Sequence, residues 1–537
     1  MADRLREIPD LMLRWPGLCA LALGLLAAFA YPPVHFWPLG LGALGAFIWL
    51  LHRCASWRAA LVQGWLFGWA HLTLANNWIA TAFTYQSEMP AALGWAAVPL
   101  LCIYLAIYPA LAALAAHSIA RRAPLWAFGM VLAGAWIATE WLRGWVFTGY
   151  PWPPVGLMLL GGWDKPGLAM LLPWFGTYAL SGLALALAAL LSWLSVTRRN
   201  QWFLGIAFLL LSLMTFPFAG DWFKQDSTLR YTLVQPLIGQ DEINDGSKFE
   251  EQFQRIAALT AKQQEHSRLV LWPESAIPDY LEDGYPERYY LQMTARGDPE
   301  FARRRIGEVI GPQSTLLAGV VNLDIGARDD GTTGAVSARN SVLALDGSGQ
   351  ITDHYAKAHL VPYGEYLPMR WLLEPLGLSR LVAGTIDYVS GPGPQTLDLG
   401  EHGKAGIQIC YEIVFSGHVT DRSERPDYIF NPSNDGWFGR WGPPQHLAQA
   451  RMRALEEGLP VLRSTTTGIS AVIDANGVVR SSIPSGNAGA LEGMVPAAKP
   501  ATFFARLGHV LTIGWAMLLV VLGLGLPRLL ARRAAHG

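Results

Sequence analysis

Apolar runs long enough to cross about 30 Å of hydrocarbon recur through the first 219 residues and return once near the end. They lie near 15–31, 36–51, 59–83, 91–117, 124–142, 170–196, 202–219 and 508–527. A single water-soluble core has no room for so many, so the sequence predicts a polytopic bundle of about eight transmembrane helices. The first run does not read as a cleaved signal peptide, because a second follows at once with no small-residue cleavage site between them. The chain is only 15% charged, against about 25% for soluble domains. The deficit falls in the runs, while residues 220–505 read as ordinary soluble sequence. Three regions follow: a bundle over 1–219, a polar domain over 220–505, and a final helix with a short tail over 506–537.

Positive charge in the short loops orients such a bundle. Arg4, Arg6 and Arg14 precede the first run, and Arg53 and Arg58 follow the second. Arg121 and Arg122, then Arg198 and Arg199, then Arg528, Arg532 and Arg533 continue the alternation. Loops 32–35 and 84–90 carry no Lys or Arg, and 143–169 holds only Arg143 and Lys165. The basic clusters therefore share one side, the cytoplasm, with both termini. Seven spans precede the polar domain, which places it in the opposite compartment, the periplasm of a bacterium. A net charge of −1 gives no footprint for nucleic acid.

Four cysteines occur, and Cys19, Cys54 and Cys102 lie in or beside apolar runs, where a small hydrophobe is all they need be. Cys410 is the lone cysteine of the polar domain. It has no disulfide partner there, so it is either a reactive thiol or a buried inert one.

The polar domain alternates strands and helices, which predicts an α/β layered fold. Strands are expected at 231–235, 269–272, 315–321, 340–345, 350–355, 406–409 and 428–430, with two more around Asn476-Gly477. Helices are expected at 249–265 and 446–457. Pro273 ends a buried strand and puts Glu274 at its exit. The hairpin around 346–349 delivers Lys357, and Cys410 follows another strand. A thiol, a carboxylate and an ammonium at strand ends are the parts needed to make and break a thioester. The thiolate is the reactive form, and Glu274 in a partly desolvated place can take its proton. Lys357 can stabilise the thiolate and then an oxyanion. Glu365 can hold Lys357, and Glu412 can orient a neighbour or serve as a structural acceptor.

In the order Glu274, Lys357, Cys410, these strings resemble the carbon–nitrogen hydrolase (nitrilase) superfamily, with its Glu-Lys-Cys triad. Within it, the chain resembles the bacterial apolipoprotein N-acyltransferases. That resemblance is carried by Glu140-Trp141-Leu142-Arg143-Gly144 with the following Phe147–Trp152, by 359–366, and by Ser433-Asn434-Asp435-Gly436-Trp437-Phe438. It implies an exported nitrilase-like α-β-β-α sandwich, in the cell inner membrane through its helices. It implies an acyl chain taken from a phospholipid, typically phosphatidylethanolamine, onto Cys410. The chain then passes to the α-amino group of a diacylglyceryl-cysteine at an apolipoprotein's N-terminus. It also implies Glu274 as base, Lys357 as electrostatic support, Cys410 as nucleophile, and Glu365, Tyr411 and Glu412 as supporting residues. Trp437 and Phe438 match a loop near the active site that moves with substrate. Some members carry a Trp soon after the position of Gln235; here the first aromatic residue after it is Phe249, so that role does not transfer.

Two readings stay open for other residues. Glu140 and Arg143, three apart at a helix end, are either a mutual pair or a headgroup contact. The apolar connection 366–388 and the 437–442 aromatic cluster either pack into the core or cover a lipid route. No metal set or nucleotide loop is legible, and no cofactor is expected. The rival function is a membrane-anchored amidase acting on a small C–N substrate with the same triad.

Overall fold

The computed structural model describes residues 9–85, 90–216, 225–261, 266–328, 331–373, 375 and 387–536. Arg4, Arg6, most of the 366–388 connection and the end of the helix expected at 249–265 lie outside them. The chain divides into two compact units. One comprises Met1–Ala80, Ala92–Phe218 and Thr502–Gly537; the other comprises Thr81–Ala91 and Ala219–Ala501.

The first unit is helical. Among the described residues, four helical stretches are long and apolar enough to cross a membrane: Leu93–Ala120, Leu125–Arg143, Leu168–Val196 and His509–Arg533. Pro16–Ala28, Trp37–His52 and Asn200–Thr215 are shorter apolar helices. The third expected run, 59–83, stops early: its helix covers Trp57–Ala75, and the Asn76 amide turns back to bond the Leu72 carbonyl at 2.9 Å. Small residues let the helices approach closely. A Cβ on Gly129 would lie 2.1 Å from the Ala189 Cβ, so the helices Leu125–Arg143 and Leu172–Val196 meet there nearly backbone to backbone.

The stretch expected as a loop at 143–169 is largely inside the unit. Residues 151–161 are all buried, in one short 3-10 turn, Val155–Leu159, and irregular backbone. Irregular backbone in such a place needs partners for its polar groups, and Glu140 and Arg143 supply them. Arg143 donates to the carbonyls of Trp152 at 3.2 Å and Pro153 at 2.9 Å. Glu140 Oε1 accepts from the Val155 N–H at 2.9 Å and from the Trp136 indole at 3.3 Å. The two side chains lie 3.7 Å apart and are 3% and 4% exposed. The structure shows the mutual pair, with both side chains buried; the headgroup reading is not tested by it.

Glu140→Ala leaves Arg143 buried without its carboxylate, a change that costs about 3–5 kcal/mol. Its unfolding midpoint in detergent is expected to fall well below that of the Glu140→Ala/Arg143→Met double variant. Equal midpoints would mean that the pair is not coupled.

The second unit is built on two six-stranded sheets, in the orders β12-β1-β2-β3-β4-β5 and β11-β10-β9-β8-β7-β6. The first contains β1 (Asp226–Gln235), β2 (Leu269–Leu271), β3 (Thr315–Ala327), β4 (Thr333–Asp346), β5 (Ile351–Ala356) and β12 (Gly489–Pro496). The second contains β6 (Thr396–Asp398), β7 (Lys404–Ile407), β8 (Tyr428–Ser433), β9 (Val461–Thr465), β10 (Ser470–Ile473) and β11 (Val479–Ile483). β1, β2 and β3 run parallel, as do β7, β8 and β9.

Strand residues alternate between two cores. Leu233, Leu269, Leu271 and Leu317 meet Ile407, Phe430 and Leu462 between the sheets. Their neighbours Val234, Val270 and Leu316 face Phe253, Ile256, Ala302 and Ile306, on the helices Phe249–Thr260 and Pro299–Ile310. Burial on both faces explains why 269–272 reads as a continuous apolar run. The helix Gly442–Glu457 packs on the second sheet and is buried at every residue but Pro444. The result is an α-β-β-α sandwich with strand exits of both sheets converging.

Candidate active site

Glu274 leaves the end of β2, Lys357 the end of β5, Cys410 the end of β7 and Asn434 the end of β8. Rigid strands thus fix every group. Gly319 on β3 lets the Glu274 segment come close: a Cβ there would sit 2.6 Å from the Glu274 Cα. Lys357 is 1% exposed. Its Nζ lies 2.9 Å from Glu365 Oε1 and 3.6 Å from Glu274 Oε1. The sequence reading missed Asn340, whose amide nitrogen donates to both carboxylates, 2.8 Å from each. Glu365 Oε2 accepts from the Val361 N–H at 2.8 Å, and Glu274 Oε2 from the Asn434 N–H at 2.7 Å.

Burial works against the Lys357 charge, but the carboxylates of Glu365 and Glu274 outweigh it and hold the ammonium well above its ordinary range. Cys410 is 5% exposed. Burial pushes its thiol far up, the Glu274 carboxylate and Asp435 add to this, and Lys357 opposes. The Asn434 N–H, which bonds Glu274, also supports the thiolate. The resting sulfur therefore keeps its proton, with an acceptor carboxylate and an ammonium both acting on it. Cys410 has φ +51°, a conformation that costs a non-glycine residue about 1–3 kcal/mol. This sharp turn starts the 3-10 segment Cys410–Val414.

Glu412 turns away from that chemistry. Its Oε1 accepts from the Tyr355 hydroxyl at 2.8 Å and from the N–H groups of Ala358 at 2.8 Å and His359 at 3.1 Å. Its Oε2 accepts from the Ile409 N–H at 2.8 Å. Glu412 thus ties the turn after Lys357 to the turn before Cys410. Burial pushes its carboxyl up to about 7 against the pull of Tyr355 and the Lys357 charge. All four neighbours are donors, so the carboxylate is the form that fits. Tyr411 is 4% exposed and meets Phe415 edge-on at 5.1 Å between ring centres. Phe438 packs against the inter-sheet core, and Trp437 meets Tyr85 edge-on at 5.9 Å. In the apolar connection, Trp371 is 78% exposed while Leu367 is buried; the remainder, 374 and 376–386, lies outside the described residues.

Other unforeseen residues serve the same centre. Gln240 accepts from the Asn434 side-chain amide at 2.7 Å, fixing the loop whose N–H meets Glu274. Asn340 read only as the first residue of a strand, and nothing in its neighbours marks it. Asn434 and Asp435 lay inside a recognised string but had no role until β8 brought them beside Cys410. Among the described residues, no cluster of three or more metal-ligating side chains occurs.

Fold and site together define a carbon–nitrogen hydrolase type of catalytic unit carried in one chain with a bundle of apolar helices. Comparison with known proteins agrees in both halves. The family described as apolipoprotein N-acyltransferase N-terminal domain matches residues 23–190, and carbon-nitrogen hydrolase matches 233–497. The apolipoprotein N-acyltransferase of Rhodopseudomonas palustris is 32% identical over 94% of this chain and 95% of its own. That of Azotobacter vinelandii is 34% identical over 97% of each chain, and that of Bradyrhizobium diazoefficiens 32% over 97% and 98%. The chain belongs to the apolipoprotein N-acyltransferase family.

A raised thiol pKa means that the thiolate appears only as pH climbs. Alkylation of Cys410 by iodoacetamide, followed by intact mass, is expected to rise with pH through an inflection above the ordinary cysteine value of about 8.5. Lys357→Met removes the charge that pulls the thiol down, so its inflection moves higher still. An inflection below 8.5 in the unaltered protein contradicts this electrostatic reading.

Glu412→Gln puts an amide NH₂ against backbone donors. It is expected to lose about 1–3 kcal/mol and to lower the unfolding midpoint about as much as Glu412→Ala. A Gln variant as stable as the parent would show that a neutral side chain suffices there.

Proposed function

We propose that this protein is a phospholipid:apolipoprotein N-acyltransferase that carries the acyl chain as a thioester on Cys410. One observation carries the reading: at converging strand exits, the buried Lys357 ammonium lies 3.6 Å from Glu274 Oε1, and both charges bear on the buried Cys410 thiol. Glu274 takes the Sγ proton as sulfur attacks the ester carbonyl of the donor. Lys357 faces the oxyanion that forms. The carbon–oxygen bond then breaks, and Glu274 returns the proton to the departing lysophospholipid oxygen. In the second half, the α-amino group of the acceptor attacks the thioester, Glu274 takes the amine proton, and the expelled thiolate recovers it. A thiol suits both halves, being a good nucleophile and a good leaving group.

Glu365 holds Lys357 in this scheme, Glu412 and Tyr411 shape the nucleophile turn, and Trp437 and Phe438 belong to a loop that adjusts to substrate. The exposed Trp371 and Leu372 offer apolar surface to a lipid-borne substrate. Phosphatidylethanolamine is the proposed donor, and a diacylated apolipoprotein N-terminus the acceptor. The proposed setting is the bacterial inner membrane, with eight spans, both termini cytoplasmic and the 220–505 domain periplasmic. The one-sided distribution of basic loops supports that orientation.

Purified protein mixed with phosphatidylethanolamine is expected to gain the mass of one acyl chain on Cys410. A diacylated lipopeptide then discharges the adduct as N-acyl product. Cys410→Ala gains no mass. Prompt release of free fatty acid without an amine acceptor would favour the amidase-like hydrolase instead.

A further inference from the structure

His446, Asp435 and Arg463 form a polar cluster with fully buried side chains that the chemistry above leaves unused. Arg463 Nη2 lies 2.8 and 2.7 Å from the two Asp435 oxygens and 2.9 Å from His446 Nδ1. Its Nη1 donates to Ser433 Oγ at 2.9 Å and to Asn431 Oδ1. His446 Nδ1 also lies 2.9 Å from Asp435 Oδ1. On the far side of the ring, Nε2 is 3.0 Å from the carbonyl oxygen of Cys410. A carbonyl only accepts, so Nε2 carries the hydrogen. Nδ1 meets both Arg463 Nη2 and Asp435 Oδ1, so the ring is held on both sides. Phe438 closes the ring edge-on at 5.5 Å between centres.

Burying charged groups is costly, and an apolar cluster of similar volume is often as stable. Something besides packing favours this one. Cys410 stands in a left-handed conformation, and such a residue persists only where its surroundings over-determine it. The His446 ring grips the peptide group that follows the strained residue.

We propose that His446 is a positioning residue for acyl transfer. Its Nε2–H pins the Cys410 carbonyl and the plane of the Cys410–Tyr411 peptide, and so sets the direction of Sγ toward Glu274 and Lys357. Asp435 and Arg463 fix the ring. This rests on Cys410 being the acyl carrier.

The test uses the full chain in detergent with phosphatidylethanolamine micelles, following acyl-enzyme formation by intact mass. A misplacement of about 1 Å at a reacting centre costs about a hundredfold in rate. His446→Leu is expected to acylate about a hundredfold more slowly at saturating donor, with half-saturation changed by less than about threefold. His446→Gln, whose amide can reach the same carbonyl, recovers most of the rate, while the shorter His446→Asn does not. If His446→Leu fails to fold, the Gln and Asn pair decides. Equal rates in Gln and Asn, or a folded Leu variant within about threefold of the parent, overturn the proposal. Absence of any adduct in the unaltered protein overturns instead the acyl-carrier reading on which it rests.

Discussion

One buried ammonium organises this catalytic centre. Lys357 lies inside the protein, where an isolated charge is unaffordable, and it stays charged because two carboxylates meet it. Neither carboxylate is left to Lys357 alone. Asn340 bridges them, Val361 holds one, and the backbone of Asn434 holds the other. These partners come from the middle of β4, the turn after Lys357 and the end of β8, so the geometry is complete only when both sheets are assembled. Remove the cation, and two buried carboxylates repel across a few ångströms in a low-dielectric setting.

The Cys410 thiol depends on the same arrangement. Burial keeps its proton on sulfur. The shared Asn434 N–H and the Lys357 charge act in the other direction, so the thiolate is supported where it is made. Glu412 belongs to the framework rather than to the reacting groups. It joins the turn that carries Lys357 to the turn that carries Cys410, so the two approach as one piece. In the helical unit, Glu140 and Arg143 do comparable work: they close the hydrogen bonds of an irregular buried segment that no helix ladder could satisfy.

Much of this was legible along the chain. Lengths of apolar runs announced the helices, and alternating strand and helix patterns announced a layered domain. The exits of three strands marked Glu274, Lys357 and Cys410. What was missed has a common cause. The 143–169 stretch read as a loop because Gly and Pro break its pattern, yet its burial depends on side chains from a neighbouring helix. The helix starting at Gly442 carries Gln, His, Arg and Glu, a surface composition, and it is buried because other elements cover every face. Strands β6 and β12 are short or weakly apolar, and they are strands because a neighbour offers a hydrogen-bonding edge.

Sequence by itself determined the long apolar helices of the ends, the polar domain between them, and which carboxylate, ammonium and thiol stand at strand exits. These follow from local quantities: hydropathy over a window, and residue type at a strand's exit. Tertiary structure alone decided that Asn340 bridges the two carboxylates, that Glu412 faces four donors, and that His446 meets the Cys410 carbonyl. Those contacts join residues far apart in the chain, and their strength comes from desolvation, which exists only once the sheets and helices have closed around them.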